Sequence, residues 1–196
     1  IPFQVGDPKW LDVNNDYRID ENDKIVTGDR LPKLTGGWNN TFRYHNFDIN
    51  FNVFFALGQK AINQFDANRY DFVNRESAND ITAVREISSC QAFENAKTYP
   101  IYSAFSSVVP YREDQDLFLE NASYLKLRSV TLGYNFSKVF TKVGIKRAYL
   151  YATAMNLLTV TNFSGVDPEL INYNGIYDGA SITIPRTFVL GFKLDL

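Results

Sequence analysis

Phe47-Asp48-Ile49-Asn50-Phe51-Asn52-Val53-Phe54-Phe55-Ala56-Leu57 is the stretch that sets the fold. Phe47, Ile49, Phe51, Val53, Phe55 and Leu57 fall on one side of an extended chain. Asp48, Asn50, Asn52 and Ala56 fall on the other, with Phe54 the one large apolar exception. A period of two sustained this long is a strand; a helix would mix Asp48 and Asn52 among the aromatic rings. About eleven residues is long for a soluble strand and suits a tilted membrane crossing. Just upstream, Trp38, Asn40, Phe42 and Tyr44 alternate with Gly37, Asn39, Thr41 and Arg43. His45-Asn46 between the two runs predicts a two-residue hairpin, because Asn and, less readily, His accept positive φ.

The same alternation recurs downstream. Val130, Leu132, Tyr134 and Phe136 oppose Ser129, Thr131, Gly133 and Asn135, while Leu125 and Leu127 are out of phase, which predicts a β-bulge near Arg128 or Ser129. Tyr149, Tyr151, Thr153 and Met155 alternate with Ala148, Leu150, Ala152 and Ala154, and either face of this strand fits the lipid side. Phe188, Leu190, Phe192, Leu194 and Leu196 alternate with Thr187, Val189, Gly191, Lys193 and Asp195. Five antiparallel strands are expected, at 35–44, 47–57, 121–136, 147–160 and 184–196. Residues 58–118 have no period and form a long connection, weakly helical around Asp80 to Ser88; 161–183 is a Gly- and Asn-rich loop. Short turns alternating with long loops point to an outer-membrane barrel, whereas a sandwich spaces its strands more evenly.

Composition narrows the classes. The 196 residues are 45% hydrophobic, 15% aromatic and 21% charged, with a net charge of −2. That charge gives no electrostatic reason to expect nucleic-acid binding. Mean hydropathy is only −0.24, as alternating strands average out, and no apolar run is long enough for a membrane helix. The length suits one ordinary domain, yet five strands cannot close a barrel, for which about eight are needed. The strands must therefore pair with others outside these residues. With both barrel termini on the periplasmic side the last strand runs inward, and counting back places residues 1–33 outside the cell.

Several motifs in register carry a family likeness: Gly6-Asp7-Pro8-Lys9-Trp10, Asp12-Val13-Asn14-Asn15-Asp16, Phe118-Leu119-Glu120-Asn121-Ala122-Ser123-Tyr124-Leu125-Lys126-Leu127-Arg128, Val130-Thr131-Leu132-Gly133-Tyr134, Asn156-Leu157-Leu158-Thr159, Gly165-Val166-Asp167-Pro168-Glu169 and Pro185-Arg186-Thr187. In this order the chain resembles the C-terminal portion of the SusC/RagA family of TonB-dependent outer-membrane transporters of Bacteroidetes. The resemblance implies an all-β fold, part of a barrel of about 22 strands with long extracellular loops and an N-terminal plug. It implies a multi-pass protein of the bacterial outer membrane that imports glycans or peptides. The implied partners are a SusD-like surface lipoprotein acting as a lid, the rest of the barrel and its plug, and outer-membrane lipid. TonB would act only through the N-terminal part, since neither plug nor TonB box is written here. Gly191-Phe192-Lys193-Leu194-Asp195-Leu196 resembles a barrel-assembly signal, with Leu where Phe is more usual.

One motif has site chemistry of its own. Asp12, Asn14, Asp16 and Asp20 fall at positions 1, 3, 5 and 9 of a twelve-residue EF-hand-type loop, with the Arg18 carbonyl at 7 and Asp23 at 12. Ca²⁺ takes six to eight hard oxygens, and this spacing wraps them around one centre. Ile19 supplies the apolar anchor at position 8; Tyr17 stands where Gly normally makes the sharp turn. The alternative is that the same Asp and Asn residues make Asx-turns in a solvated loop.

The remaining candidates are weaker. Glu113, Asp114, Asp116 and Glu120 cluster near the end of the long connection, where a solvated face outweighs acid–base chemistry. His45 belongs to a turn and Cys90 to a loop, and nothing supports an enzyme. Loop aromatics Phe65, Tyr70, Phe72, Tyr99, Tyr102, Phe105 and Tyr111 are candidates for contact with substrate or the lipoprotein. Asn39, Arg43, Asp48, Asn50 and Asn52 are expected to line a wet interior. The expected role is therefore part of a nutrient importer; the alternative is a secreted, calcium-braced β-sandwich that binds carbohydrate.

Overall fold

A computed structural model describes residues 10–71, 115–136 and 147–195. Its main sheet has five antiparallel strands: β1 (Leu34–Tyr44), β2 (Phe47–Leu57), β5 (Tyr124–Asn135), β6 (Arg147–Thr161) and β8 (Thr187–Asp195), in the order β1-β2-β5-β6-β8. A smaller sheet joins β4 (Leu119–Asn121), β3 (Lys60–Asn63) and β7 (Ile176–Tyr177), with β3 antiparallel to β4 and parallel to β7. Helix α1 (Gln64–Asp71) continues directly from β3. The five expected strands are all present. What differs is the connections, whose described ends are folded and not bare loop. The strand expected over 121–136 is also divided, with Leu119–Asn121 in the small sheet and Tyr124–Asn135 in the large one. The helix expected near Asp80 to Ser88 and Cys90 lie outside the described residues, as do Glu113 and Asp114.

The turn at His45–Asn46 closes on a Tyr44–Phe47 pair, and His45 adopts φ 52° while Asn46 does not enter the left-handed region. Opposite that turn, every described connection gathers at one end of the sheet, hereafter the loop end. There Leu34 pairs with Leu57, Ala56 with Tyr124 and Tyr124 with Thr161.

Register assigns the two faces. Asp48 pairs with both Arg43 and Gly133, Asn50 with Thr41 and Thr131, and Thr131 with Thr153. Opposite residues in a ladder share a face, so Tyr149, Tyr151 and Thr153 belong to the polar side. Tyr149 donates to Asp48 at 2.7 Å, Asn50 donates to Thr41 at 2.8 Å, and the Thr131 and Thr153 hydroxyls lie 2.9 Å apart. Asn52 likewise donates to Asn39. Glycines make room for the tyrosines: a Cβ on Gly133 would strike the Tyr149 hydroxyl, and one on Gly191 the Tyr151 ring.

The other face carries Trp38, Phe42, Phe47, Ile49, Leu132, Phe188, Leu190 and Phe192, all exposed. A sandwich would lay a second sheet across this face. Among the described residues the second sheet stands at the loop end and leaves the apolar face open, so the sandwich alternative fails. An uncovered apolar face of this extent is suited to lipid.

The bulge expected near Arg128 is present. Asn52 pairs with Ser129 and Val53 with Leu127, so β5 carries one extra residue there. This insertion brings Leu125 and Leu127 onto the apolar side with Val130 and Leu132. Strand β6 compensates with an extra residue of its own, since Leu127 pairs with Leu158 but Ser129 with Met155. Asn156, inside that irregularity, has φ 55°, a conformation that Asn tolerates better than most residues.

Candidate functional site

The buried apolar clusters sit at the loop end. Ala61, Ala122, Phe163 and Tyr177 form one cluster, with Phe65, Leu170 and Ile171 packed against it; Ala67 and Phe118 form a second. Phe65 meets Tyr177 edge-on at 6.2 Å and is half-buried, so its ring is used for packing within the loop end. Tyr70 lies in α1 with its side chain outside the described set; Phe72, Tyr99, Tyr102, Phe105 and Tyr111 lie outside the described residues.

Polar groups fasten this platform. Lys126 is 1% exposed, and its Nζ lies 2.7 Å from Asp167 and 2.5 Å from Glu169. Arg128 donates to Glu169 at 2.8 Å, and the Tyr124 hydroxyl donates to the same carboxylate at 3.2 Å. Burial pushes the Glu169 carboxyl up, but hydrogen bonds from Lys126 and then Arg128 outweigh it and hold it below its ordinary range. Lys126 thus meets Asp167 and Glu169 in a largely enclosed site, with the exposed Arg128 at its rim. Removing one partner of such a pair costs about 3–5 kcal/mol, because the other charge is left buried. The Arg128 guanidinium also covers the Phe54 ring at 4.0 Å, which gives that exceptional apolar residue of β2 a partner on the polar face.

A second node lies beside it. Asn63, 1% exposed, donates to Glu120 at 2.9 Å and to the Ser164 hydroxyl at 2.8 Å. Glu120 also accepts from the Ser164 backbone N–H at 2.7 Å and from its hydroxyl at 2.6 Å. Asn156 donates to the Pro185 carbonyl at 3.1 Å and so fixes the return into β8. Pairing across more than forty residues is what sequence reasoning lacked for Lys126, Asp167 and Glu169. The available signal was Lys126 itself, a cation between Leu125 and Leu127 on an otherwise apolar-alternating strand.

The EF-hand-like loop lies beside the small sheet. Its segment, β3 and the end of the long connection border a cleft of about 440 Å³, walled by Ile19, Asp23, Ile62, Asp116 and Leu119. The loop makes the required turns: Asn15 and Tyr17 both have φ 59°. Asp12 accepts from the N–H groups of Asp16 at 3.3 Å and Tyr17 at 2.9 Å, and Asp16 from Arg18 at 2.8 Å. Asp23 accepts from Val13 at 2.9 Å and Asp20 at 2.8 Å, which ties the end of the loop to its start. Those two backbone bonds, that from Asp20 first, hold the Asp23 carboxyl below its usual range. The donor set is the oxygen-only chemistry Ca²⁺ requires, and each carboxylate oxygen keeps a second lone pair. The carboxylates stand on backbone N–H groups, and among the described residues no three His, Cys, Asp or Glu side chains converge as a metal centre.

Comparison with known proteins places this architecture. No family model matches the chain. The TonB-dependent receptor P26 of Formosa agariphila is 32% identical over 202 residues, covering 98% of this chain and 20% of that protein. The TonB-dependent receptor SusC of Bacteroides thetaiotaomicron is 28% identical over 188 residues, covering 95% of this chain and 17% of that protein. Among solved structures, the RagAB peptide importer in its closed-closed state superposes with a TM-score of 0.64 at 22% identity, covering 90% of this chain and 19% of that one. The RagAB peptide transporter gives a TM-score of 0.61 at 21% identity, over 86% of this chain and 18% of that one. The chain thus spans about a fifth of the length of the relatives it matches. By sequence and by fold together, the chain is a segment of an outer-membrane β-barrel of the SusC/RagA type, related to the TonB-dependent receptors.

Proposed function

We propose that this chain forms part of a TonB-dependent importer that takes up glycans or peptides with a SusD-like surface lipoprotein seated over its loop end. The observation that carries this reading is the two-faced sheet: an open apolar face for lipid, a hydrogen-bonded polar face for a wet interior, and the folded connections gathered at the end opposite the tight His45–Asn46 turn. The loop end faces the outside of the cell, where a lipoprotein lid and incoming substrate meet the barrel. Relatedness to SusC and likeness to RagAB support the same reading. No step of it uses a side chain of this segment as a chemical catalyst.

The test uses the full-length protein in its own cell. Deleting it is expected to abolish uptake of one class of oligosaccharide or peptide, and affinity purification is expected to bring down a surface lipoprotein. Uptake that survives both this deletion and loss of TonB would defeat the proposal.

Asp12, Asn14, Asp16, Asp20 and Asp23, with the Arg18 carbonyl, are proposed to hold Ca²⁺ and brace the loop beside the lipoprotein. Calorimetry on the full-length protein should show binding that Asp12→Asn with Asp16→Asn abolishes; no heat from the unaltered protein would end the idea.

A further inference from the structure

We infer that Lys126 and Arg128 act as an electrostatic latch that positions both ends of the long connection at the barrel mouth. The chain of contacts is continuous. Lys126 and Arg128 on β5 grip Asp167 and Glu169. Asp167 caps the short helical turn Pro168–Leu170 and Glu169 lies within it, and Leu170 at its end packs with Ile171 on the Ala61, Ala122, Phe163 and Tyr177 cluster. Tyr177 in β7 pairs with Asn63 in β3, and α1 follows at once into the long connection. The far end of that connection returns through β4, which pairs with β3, and its Glu120 accepts from Ser164 of the latched segment. Both ends of the long connection therefore rest on residues 162–177, and that segment is held to the barrel wall by the latch.

Strand pairing alone does not supply this fixing. Strand β7 is two residues long and its ladder with β3 is two pairs, too little to hold a segment in place. The four charges are mutually neutral and are closed off from solvent at Lys126, where solvent screening is weak. Lys126 is thus a positioning residue for uptake. In that function the inference rests on the importer reading, whereas the latch itself is testable without it.

The experiment uses the full-length protein in outer-membrane preparations. Lys126→Met should leave a folded barrel, with amides of β6 and β8 exchanging as before, while amides of residues 162–177 exchange about tenfold faster. Lys126→Arg should restore much of that protection, and Glu169→Gln added to Lys126→Met should accelerate exchange by less than Glu169→Gln does alone, because only the Arg128 grip is left to lose. Uptake per folded barrel should show a half-saturation concentration raised about tenfold with its maximal rate kept. Unchanged exchange at 162–177, or acceleration spread evenly over the whole barrel, would overturn the latch. Faster exchange with unaltered half-saturation would overturn the positioning role alone. If Lys126→Met fails to assemble, Glu169→Gln decides: it leaves Lys126 with Asp167, and unaltered exchange at 162–177 refutes the latch. Absence of any uptake by the unaltered protein would count against the importer reading and leave the exchange result standing on its own.

Discussion

At the scale of single residues, position within a ladder decides what a charge does. Lys126 is drawn into the protein by Asp167 and Glu169, whereas Arg43 stands opposite Asp48 in the ladder on the wet face. Glu169 sets a pH dependence. Its carboxyl is held below the ordinary value of 4.5 in the folded chain, facing Lys126, Arg128, Asp167 and the Tyr124 hydroxyl. The stabilisation it supplies is full above that ordinary value and is lost as pH falls through the lowered folded value. Protection at 162–177, with the intrinsic pH dependence of amide exchange divided out, is therefore expected to stay constant from neutral pH down to the ordinary carboxylate range and to fall below it. A loss of protection already between pH 7 and 6 would point to another group. Tyr17 offers a second test, being 96% exposed in a left-handed conformation at φ 59°. Tyr17→Gly should stabilise the turn by about 1 kcal/mol, read as slower amide exchange over residues 12–23. Faster exchange would show that the turn is unstrained.

At the scale of elements, two irregularities keep two faces continuous along strands of unequal length. The bulge in β5 was readable because Leu125 and Leu127 fall out of phase with Val130. The compensating one in β6 was not, because Ala152, Ala154, Leu157 and Leu158 carry no comparable contrast. Asn156 serves there both by its φ of 55° and by its bond to Pro185. Asn156→Gly keeps the backbone and loses the bond, while Asn156→Ala loses both. The expected costs are about 1 kcal/mol for Gly and about 2–3 kcal/mol for Ala. Unfolding midpoints of the purified barrel measure this, and equal midpoints would remove the backbone part of the explanation. The folded ends of the long connection escaped sequence reading for a related reason. Strands of two to four residues are too short to show a period, and β3 is stabilised by partners more than fifty residues away.

At the scale of the whole molecule, the sheet is a wall with lipid on one side and water on the other. Leu190 and Val189 are neighbours in β8 that point to opposite sides, Leu190 with Ala152 and Val189 with Thr153. Leu190→Arg is expected to cost about 2–4 kcal/mol in mid-membrane, and Val189→Thr less than about 0.5 kcal/mol. Unfolding of the full-length barrel in detergent or bilayers distinguishes them; equal tolerance would mean that Leu190 does not face lipid. Among the described residues, clustered hydrophobic packing is accordingly concentrated at the loop end, which builds a water-excluding core from its own residues.

Alternation by itself determined that the chain is β, where its five long strands lie, and that a wet face opposes an apolar one, because a strand displays its two faces in strict turn. It also sufficed for the hairpin at His45–Asn46 and the bulge at Arg128. The direction of β6 was beyond it: Tyr149 and Tyr151 are as apolar in bulk as Leu150. Only the register with Asp48, Thr131 and Gly133 turns their hydroxyl-bearing side to the water. The latch was likewise a tertiary decision. Lys126 and Glu169 are separated by forty-three positions, and nothing local brings them together. They meet because two antiparallel strands and a folded connection return the chain to the same end of the barrel, where burial makes the pairing strong.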